Sequence, residues 1–395
     1  MKHLRWIMAS LVAFPLFSAP PVELGGVAAM GDSLTDEYEF SRSTASRNWL
    51  EQLIISRGID FGPVSLESRG EPRRSGYEYN WARSGATSGT LLDAGQHIGV
   101  AEQVASGKVT TAYLGIGAND FGYAYIAIYT GVLSGGVLDA YVNGIVANIT
   151  EAVETVSRAG SVNIVIGNIP DYGATPLVVS LFPDPEKRRR VTDAAAAANA
   201  KILALATSRG IPVVDLFGVV ETIFAEDREL AVGGVDIDLS TRSEDPHSFF
   251  LSDGIHPGSV PQGLLANAFM HAVNVAYGGG LSLRSDQEIL RDAGIDPPAG
   301  PATFYDVSRF VIHRLPGPLF LAHVPVADGF TTVFTLASTR AATGTDHRDI
   351  RRPERQSPFR HRSSSLSLHT IACRYDRRTR WPVGAKFTDP PRSRR

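Results

Sequence analysis

The sequence contains almost no cysteine: Cys373 is the only one among 395 residues. A disulfide within the chain requires two cysteines, so a fold held together by disulfides is excluded. Histidine is dispersed, with ten in total and no His-Glu-x-x-His pattern. Catalytic metals need clustered ligands, and we therefore expect no metal site.

Two further catalytic signatures are missing. The Gly-x-Ser-x-Gly elbow of α/β-hydrolases does not occur. The Gly-x-Gly-x-x-Gly pattern of dinucleotide-binding proteins begins at Gly115 and Gly117, but Asp120 stands where the third glycine belongs. We therefore expect no cofactor.

Long apolar segments are also rare, and none is long enough to cross a bilayer. The apolar stretch Trp6–Phe17 follows Lys2 and Arg5, an order typical of a secretory signal. We predict a signal peptide over residues 1–19 and a secreted or periplasmic location. A disordered or core-packed N-terminal extension is the alternative, because Pro20 makes the cleavage site imperfect.

Charge is unevenly distributed along the chain. Residues 340–395 contain 15 Lys and Arg against 5 Asp and Glu, whereas residues 1–339 contain 23 against 36. The basic end has little apolar content, so we predict a disordered tail over residues 341–395. A nucleic-acid-binding arm is the alternative, but no interleaved aromatics accompany the arginines, and we expect no nucleic-acid partner.

Four continuous apolar runs predict β-strands, at residues 27–30, 109–117, 162–170 and 211–218. Continuous rather than alternating apolar runs are typical of strands buried on both faces of a parallel sheet. A weaker strand candidate lies at residues 62–68.

Helical patterns fall between these runs and after the last, at residues 45–56, 138–160, 186–210 and 260–280. The alternation predicts a three-layer α/β/α sandwich with a mostly parallel, about five-stranded, flavodoxin-like sheet. We assign residues 26–280 to this domain and residues 281–340 to a small C-terminal appendage. Within the appendage, 286–312 predicts a short helix, a Pro-rich turn and a further helix or strand.

The first apolar run ends at "GDSLTDEY", which places Ser33 directly after a predicted strand. In open α/β sheets, reactive groups collect at the carboxyl ends of the strands. Asp-Ser is also a common helix cap, so Ser33 alone is weak evidence for a nucleophile.

A second candidate group, "FFLSDGIHPG", contains Asp253 and His256. At this spacing in a turn, the carboxylate can hold one tautomer of the imidazole, which can then take a proton from a serine hydroxyl. A solvated Asp-Gly turn with a surface histidine is the alternative for this stretch.

Attack on a carbonyl also requires donors for the developing oxyanion. Asn119 follows the second strand with an amide, Gly85 lies in a small-residue turn where its N–H is accessible, and the N–H of Ser33 is a third donor. An ordinary turn at Gly85 and an Asx turn at Asn119 are the alternatives.

Taken together, these segments resemble the SGNH hydrolases, also called the GDSL esterase/lipase family. The matching segments, in the order typical of that family, are Gly31-Asp32-Ser33-Leu34, Gly85, Gly117-Ala118-Asn119-Asp120 and Asp253-Gly254-Ile255-His256-Pro257. The resemblance implies that Ser33 is the nucleophile, His256 the base and Asp253 its partner. It also implies an oxyanion hole formed by Ser33, Gly85 and Asn119, and hydrolysis of carboxylic esters.

The chain departs from the family pattern at two places. Ser84 precedes Gly85 where many relatives have glycine, and 52 residues separate Ser33 from Gly85. The polar part of that segment carries four arginines that we expect near the site, as surface charges or as contacts for an anionic or sugar-rich substrate: Arg69, Arg73, Arg74 and Arg83.

The substrate remains open at this point, because short acyl esters, O-acetylated glycans and lipids all fit such a site. A catalytically silent glycan- or lipid-binding protein on the same fold is the alternative to an enzyme. The sequence does not indicate an oligomeric state.

Overall fold

The computed structural model describes residues 24–37, 44–65, 67, 75–224 and 229–315, and the backbone of two short strands at 333–337 and 368–372. The predicted signal peptide at 1–19 lies outside these residues, as do Arg69, Arg73 and Arg74. The chain divides into two compact units, Met1–Gly317 and Pro318–Arg395.

The first unit alternates strands with helices along most of its length. Its helices are α1 Trp49–Arg57, α2 Ser88–Asp93, α3 Gln96–Ala105, α4 Ala118–Thr130, α5 Gly135–Ala159, α6 Pro176–Leu181, α7 Pro185–Arg209, α8 Leu216–Ile223, α9 Ser259–Tyr277 and α10 Asp286–Asp292. Its strands are β1 Gly26–Gly31, β2 Val64–Ser65, β3 Gly76–Tyr77, β4 Val109–Gly115, β5 Asn163–Gly167, β6 Val213–Val214, β7 Leu230–Val232, β8 Val235–Arg242, β9 Ser248–Phe250 and β10 Val311–Ile312.

The central sheet has five strands in the order β1-β4-β5-β6-β10. The first four are parallel neighbours, and β10 closes the edge antiparallel to β6. The four apolar runs that predicted strands form β1, β4, β5 and β6, so the predicted mostly parallel α/β sheet is confirmed.

Both faces of this sheet are covered, as the continuous apolar runs require. Along β1, Val27 and Ala29 pack in the core on the side of α1 and α9, whereas Ala28 and Met30 pack on the side of α3, α5 and α7. Alternate residues of a strand point to opposite faces, so a strand between two helical layers is apolar at every position. The three-layer sandwich follows from this pattern.

The weaker strand candidate at 62–68 gives a different result. Among the residues of this stretch that the structure describes, Val64 and Ser65 form β2, which pairs with β3 in a separate antiparallel hairpin. The outer neighbour of β1 is instead segment 79–83: the Ala29 N–H donates to the Tyr79 carbonyl at 3.0 Å, and the Arg83 N–H donates to the Gly31 carbonyl at 3.0 Å. This segment leads directly to Gly85.

Residues beyond 280 contribute to the same unit. After α10 and a Pro-rich stretch, β10 adds the fifth strand to the central sheet. A smaller sheet, β7-β8-β9, precedes α9 and has no counterpart in the sequence predictions, because β7 and β9 have only three residues each and the longer β8 is largely exposed and polar.

The second unit is described only by two strands. β11 Val333–Ala337 pairs antiparallel with β12 Leu368–Ala372. β12 falls inside the tail for which the sequence predicts disorder, and the rest of that tail lies outside the described residues.

Gly31 lies in the sheet where there is no room for a side chain. A Cβ at this position would lie 2.2 Å from the carbonyl oxygen of Gly115 on β4. We expect Gly31→Ala to lower the free energy of unfolding by at least about 3 kcal/mol, because a backbone atom cannot move aside as a side chain can. Urea unfolding followed by circular dichroism measures this change.

Gly144 provides the matched control, since it lies in α5 and a Cβ there would meet no atom within 4 Å. Gly144→Ala should stabilise the protein by roughly 0.5–1 kcal/mol, because alanine loses less backbone entropy in a helix. Equal stability of the two variants would show that the strands separate to admit the methyl group.

Candidate active site

The turn at residues 32–36, named the nucleophile turn because the sequence analysis expects the nucleophile there, follows β1 without a break. The Asp32 carbonyl accepts hydrogen bonds from the N–H groups of Thr35 at 3.1 Å and Asp36 at 2.9 Å. Gln96, which is fully buried, binds both polar groups of Gly31: its Oε1 accepts from the N–H at 2.9 Å and its Nε2 donates to the carbonyl at 3.1 Å. Ser33 is therefore presented from a rigid strand end.

The second part of the site is the turn between β9 and α9. The Leu251 N–H donates to the His256 carbonyl at 2.8 Å, which closes this turn. Asp253 Oδ1 accepts from the N–H groups of Ile255 at 2.8 Å and His256 at 2.9 Å. The carboxylate is thus fixed by backbone donors while its other oxygen stays available.

The two parts meet through His256. Its Nδ1 lies 2.5 Å from Asp253 Oδ2, and its Nε2 lies 2.7 Å from Ser33 Oγ. When Nδ1–H donates to the carboxylate, Nε2 carries the lone pair and accepts the serine hydroxyl. This is the hydrogen-bond order that a serine needs in order to lose its proton to a base.

Asp253 has the charge state that this order requires. Burial opposes its ionised form, but hydrogen bonds from the His256 side chain and from the N–H groups of His256 and Ile255 outweigh burial and hold its pKa below the ordinary value. The carboxylate is therefore negative at neutral pH and favours a proton on Nδ1 of the imidazole.

Gly85 lies beside the nucleophile turn at a positive φ of 79°, which only glycine adopts without strain. The preceding residue, Ser84, donates from its N–H and its hydroxyl to Asp36 Oδ2, at 2.7 and 2.8 Å. The serine that replaces the family's glycine thus connects the Gly85 turn to the nucleophile turn.

Asn119 lies in the first turn of α4, two residues after Gly117. One hydrogen of its Nδ2 donates to the Ala86 carbonyl at 3.0 Å, so a second hydrogen on the same nitrogen remains for another acceptor. Ser33, Gly85, Asn119, Asp253 and His256 all line one cavity of about 1100 Å³. The structure therefore brings together every residue that the sequence analysis selected for the site.

A chain of hydrogen bonds sets the distance between the two turns. Asn48, the N-cap of α1, donates from Nδ2 to the carbonyls of Thr35 at 3.1 Å and Asp36 at 2.9 Å. One residue further, the Trp49 N–H donates to Gln262 Oε1 of α9 at 3.2 Å. The sequence analysis missed these supporting residues; the Asn48-x-x-Glu51 capping-box pattern was the one local indication of them.

Comparison with known proteins shows the family of the chain. The sequence profile of the GDSL-like lipase/acylhydrolase family matches residues 29–259, more than half of the chain. The chain belongs to this family. No curated protein sequence matches the chain.

Several solved structures are similar to this chain. An acetylxylan esterase from Geobacillus stearothermophilus is 14% identical, with 66% of this chain and 95% of that one covered and a TM-score of 0.38. An extracellular lipase from Streptomyces rimosus is 19% identical, with 60% and 97% covered and a TM-score of 0.36. A phospholipase A1 from Streptomyces albidoflavus is 17% identical, with 61% and 98% covered and a TM-score of 0.35.

Metal sites and membrane-spanning helices can be assessed in the part of the chain that the structure describes. Within it, no cluster of three or more histidine, cysteine or acidic side chains is arranged to hold a metal ion. No helix in the same residues combines the length and apolarity needed to cross a membrane.

Asp32 differs from Asp253 although both carboxyls lie near His256. Asp32 is buried, and burial raises its pKa to about 7, against the opposing effects of the Leu34 N–H and the charge of His256. The folded chain therefore keeps a proton on Asp32 at pH values where the unfolded chain has lost it. The contribution of Asp32 to stability must fall as the pH rises from about 4 to 7.

Asp32→Asn removes this titration while keeping the shape and the acceptor for Leu34. We expect its stability relative to the native chain to rise by roughly 2–4 kcal/mol between about pH 4.5 and about pH 7.5. Urea unfolding at a series of pH values measures the difference.

Asp238→Asn is the control, because hydrogen bonds from Ser240 hold the pKa of Asp238 to about 2 and this carboxyl stays ionised across the same range. Its stability difference from the native chain should stay constant. A constant difference for Asp32→Asn as well would mean that Asp32 is ionised in the folded protein.

Proposed function

We propose that this protein is a serine esterase that hydrolyses carboxylic esters through an acyl-enzyme on Ser33. The observation that supports this most strongly is the hydrogen-bonded series Asp253–His256–Ser33 in the wall of a cavity. The family to which the chain belongs is one of lipases and acylhydrolases. The predicted signal at 1–19 extends the proposal to an exported enzyme.

In the first half of the reaction, His256 Nε2 takes the Ser33 proton as Oγ attacks the ester carbonyl carbon. The carbonyl oxygen becomes an oxyanion, which accepts hydrogen bonds from Ser33 N–H, Gly85 N–H and Asn119 Nδ2. When the carbon–oxygen bond to the alcohol breaks, His256 gives its proton to the leaving alkoxide, and the acyl group remains on Ser33.

In the second half, His256 takes a proton from water, and the hydroxide attacks the acyl carbonyl. Collapse of the second oxyanion releases the carboxylic acid, and the proton on His256 returns to Ser33 Oγ. Asp253 stays ionised throughout and stabilises the imidazolium that forms twice per cycle. No metal or cofactor takes part in this scheme.

Ser33→Ala tests the nucleophile. We expect p-nitrophenyl acetate hydrolysis to fall at least about 10³-fold, since removal of the nucleophile leaves only the oxyanion donors and binding. Thermal unfolding of the same sample verifies that the fold is intact. A folded Ser33→Ala protein with native activity would exclude Ser33 from the reaction, and a native protein inactive on every ester would favour the binding-protein alternative.

Asn119→Ala tests the oxyanion hole. We expect kcat to fall about 10²–10³-fold with little change in KM, because a hydrogen bond made mainly in the transition state is lost. Tyr123→Phe is the control: it removes a hydroxyl 3.4 Å from the Gly85 carbonyl without removing a proposed oxyanion donor, and should leave kcat nearly unchanged. A change confined to KM in Asn119→Ala would assign Asn119 to substrate binding instead.

A further inference from the structure

The catalytic cavity extends well beyond Ser33. One part of it, here named the apolar chamber, lies between α8 and α9. Its walls are defined by Val219, Val220, Ile223, Leu264, Leu265 and Ala268. None of these residues belongs to the catalytic motifs.

The two helices present matched faces to this space. On α8, Ile223 follows Val220 by three residues and Val219 by four, and on α9 Ala268 follows Leu265 by three residues and Leu264 by four, so in each helix the last residue shares a side with both of the earlier ones. Ile223, Leu264 and Ala268 are buried, whereas Val219, Val220 and Leu265 are only partly buried. The chamber is therefore an apolar space that the packing of α8 and α9 leaves unfilled.

Aromatic rings line the rest of the chamber. Phe249 and Phe250 of β9 lie in the cavity wall with ring centroids 4.9 Å apart, and the ring of Phe224 lies 5.0 Å from that of Phe249. Phe310 contributes another buried ring to the wall. Such mutually packed rings form a stiff wall that holds its shape when a ligand enters.

None of the charged side chains in the cavity wall belongs to the residues that define the chamber. These charged side chains are Asp32, Asp36, Glu37, Arg47, Glu51, Arg83, Asp171, Asp253 and His256. The chamber residues offer no hydrogen-bond donor or acceptor in their side chains. A sugar placed there would bury hydroxyl groups without partners, which is unfavourable, whereas a hydrocarbon chain gives up no hydrogen bonds and gains by leaving water.

We propose that the apolar chamber binds an aliphatic chain of the ester, so that the substrates are esters with medium or long alkyl chains rather than acetylated sugars. The inference rests on the proposed function, since the chain must be joined to a carbonyl that Ser33 attacks. The chain belongs either to the acyl group or to the alcohol, and the experiment separates the two.

The first measurement compares kcat/KM over two series at concentrations below micelle formation. The acyl series is p-nitrophenyl acetate, butyrate and octanoate, and the alcohol series is ethyl acetate and octyl acetate. In one series we expect a rise of at least about 30-fold from the shortest to the longest member, because each buried methylene can contribute up to about fourfold. The series that rises identifies the part of the ester that carries the chain.

The second measurement uses variants whose larger side chains fill the chamber. Val220→Phe places a ring in it from a partly buried position, and Val219→Phe does so from the neighbouring residue. We expect kcat/KM for the preferred long ester to fall at least about tenfold and that for the short ester to change by less than about twofold, since only the chain site is occupied. Val137→Phe on α5 is the matched control, because Val137 is 68% exposed and lies outside the cavity wall.

A third measurement does not depend on turnover. Octanoate should raise the thermal midpoint of Ser33→Ala and should fail to do so once Val220→Phe is added.

If the native protein hydrolyses short esters but neither series rises, or if acetylated xylan is the better substrate, the chamber proposal is wrong and the esterase proposal stands. If no ester is cleaved at all, the proposed function itself fails. Equal losses for long and short esters in both folded filled variants would likewise overturn the chamber proposal.

Discussion

The site depends on a single hydrogen bond between two turns that are 223 residues apart, from Ser33 to His256. Each turn is rigid by itself: one follows a buried parallel strand, and the other is closed by its own backbone. Their separation is set by a different part of the molecule. Asn48 holds the nucleophile turn, Trp49 binds Gln262, and Ser259 at the start of α9 accepts from the Arg47 N–H at 2.7 Å. The packing of α1 on α9 therefore fixes the distance between the Ser33 hydroxyl and the His256 ring.

The two carboxyls near His256 show how burial divides their roles. Asp253 has three hydrogen-bond donors that prefer its ionised form, and its pKa is low. Asp32 has the Leu34 N–H and is buried, and its pKa is about 7. Burial and hydrogen-bond donors therefore give these two neighbouring carboxyls opposite shifts in pKa, although both lie near the same imidazole.

The central strands and the motif residues were predictable because their signals are local. An apolar run followed at once by a polar motif marks a strand end, and parallel strands bring their carboxyl ends to one edge of the sheet. The supporting contacts were not predictable in this way. Gln96 binds Gly31 from 65 residues away, and Gln262 binds Trp49 from 213 residues away. A local sequence pattern covers far fewer residues than these separations, so it cannot indicate either pair. β7, β9 and β10 have only two or three residues each, too few for a periodic pattern to be read from the sequence.

The cavity links the region beyond the family match to the chemistry. The match ends at residue 259, yet β10 pairs with β6, and the Phe310 carbonyl accepts from the Asp215 N–H at 2.8 Å. That bond holds the ring of Phe310 in the cavity wall, close to the end of β6 from which α8 begins. The residues expected to carry the reaction lie within the matched segment, as do the chamber residues of α8, whereas the chamber residues of α9 and the ring of Phe310 follow it. Part of the wall of the cavity that contains Ser33 therefore comes from outside the matched segment.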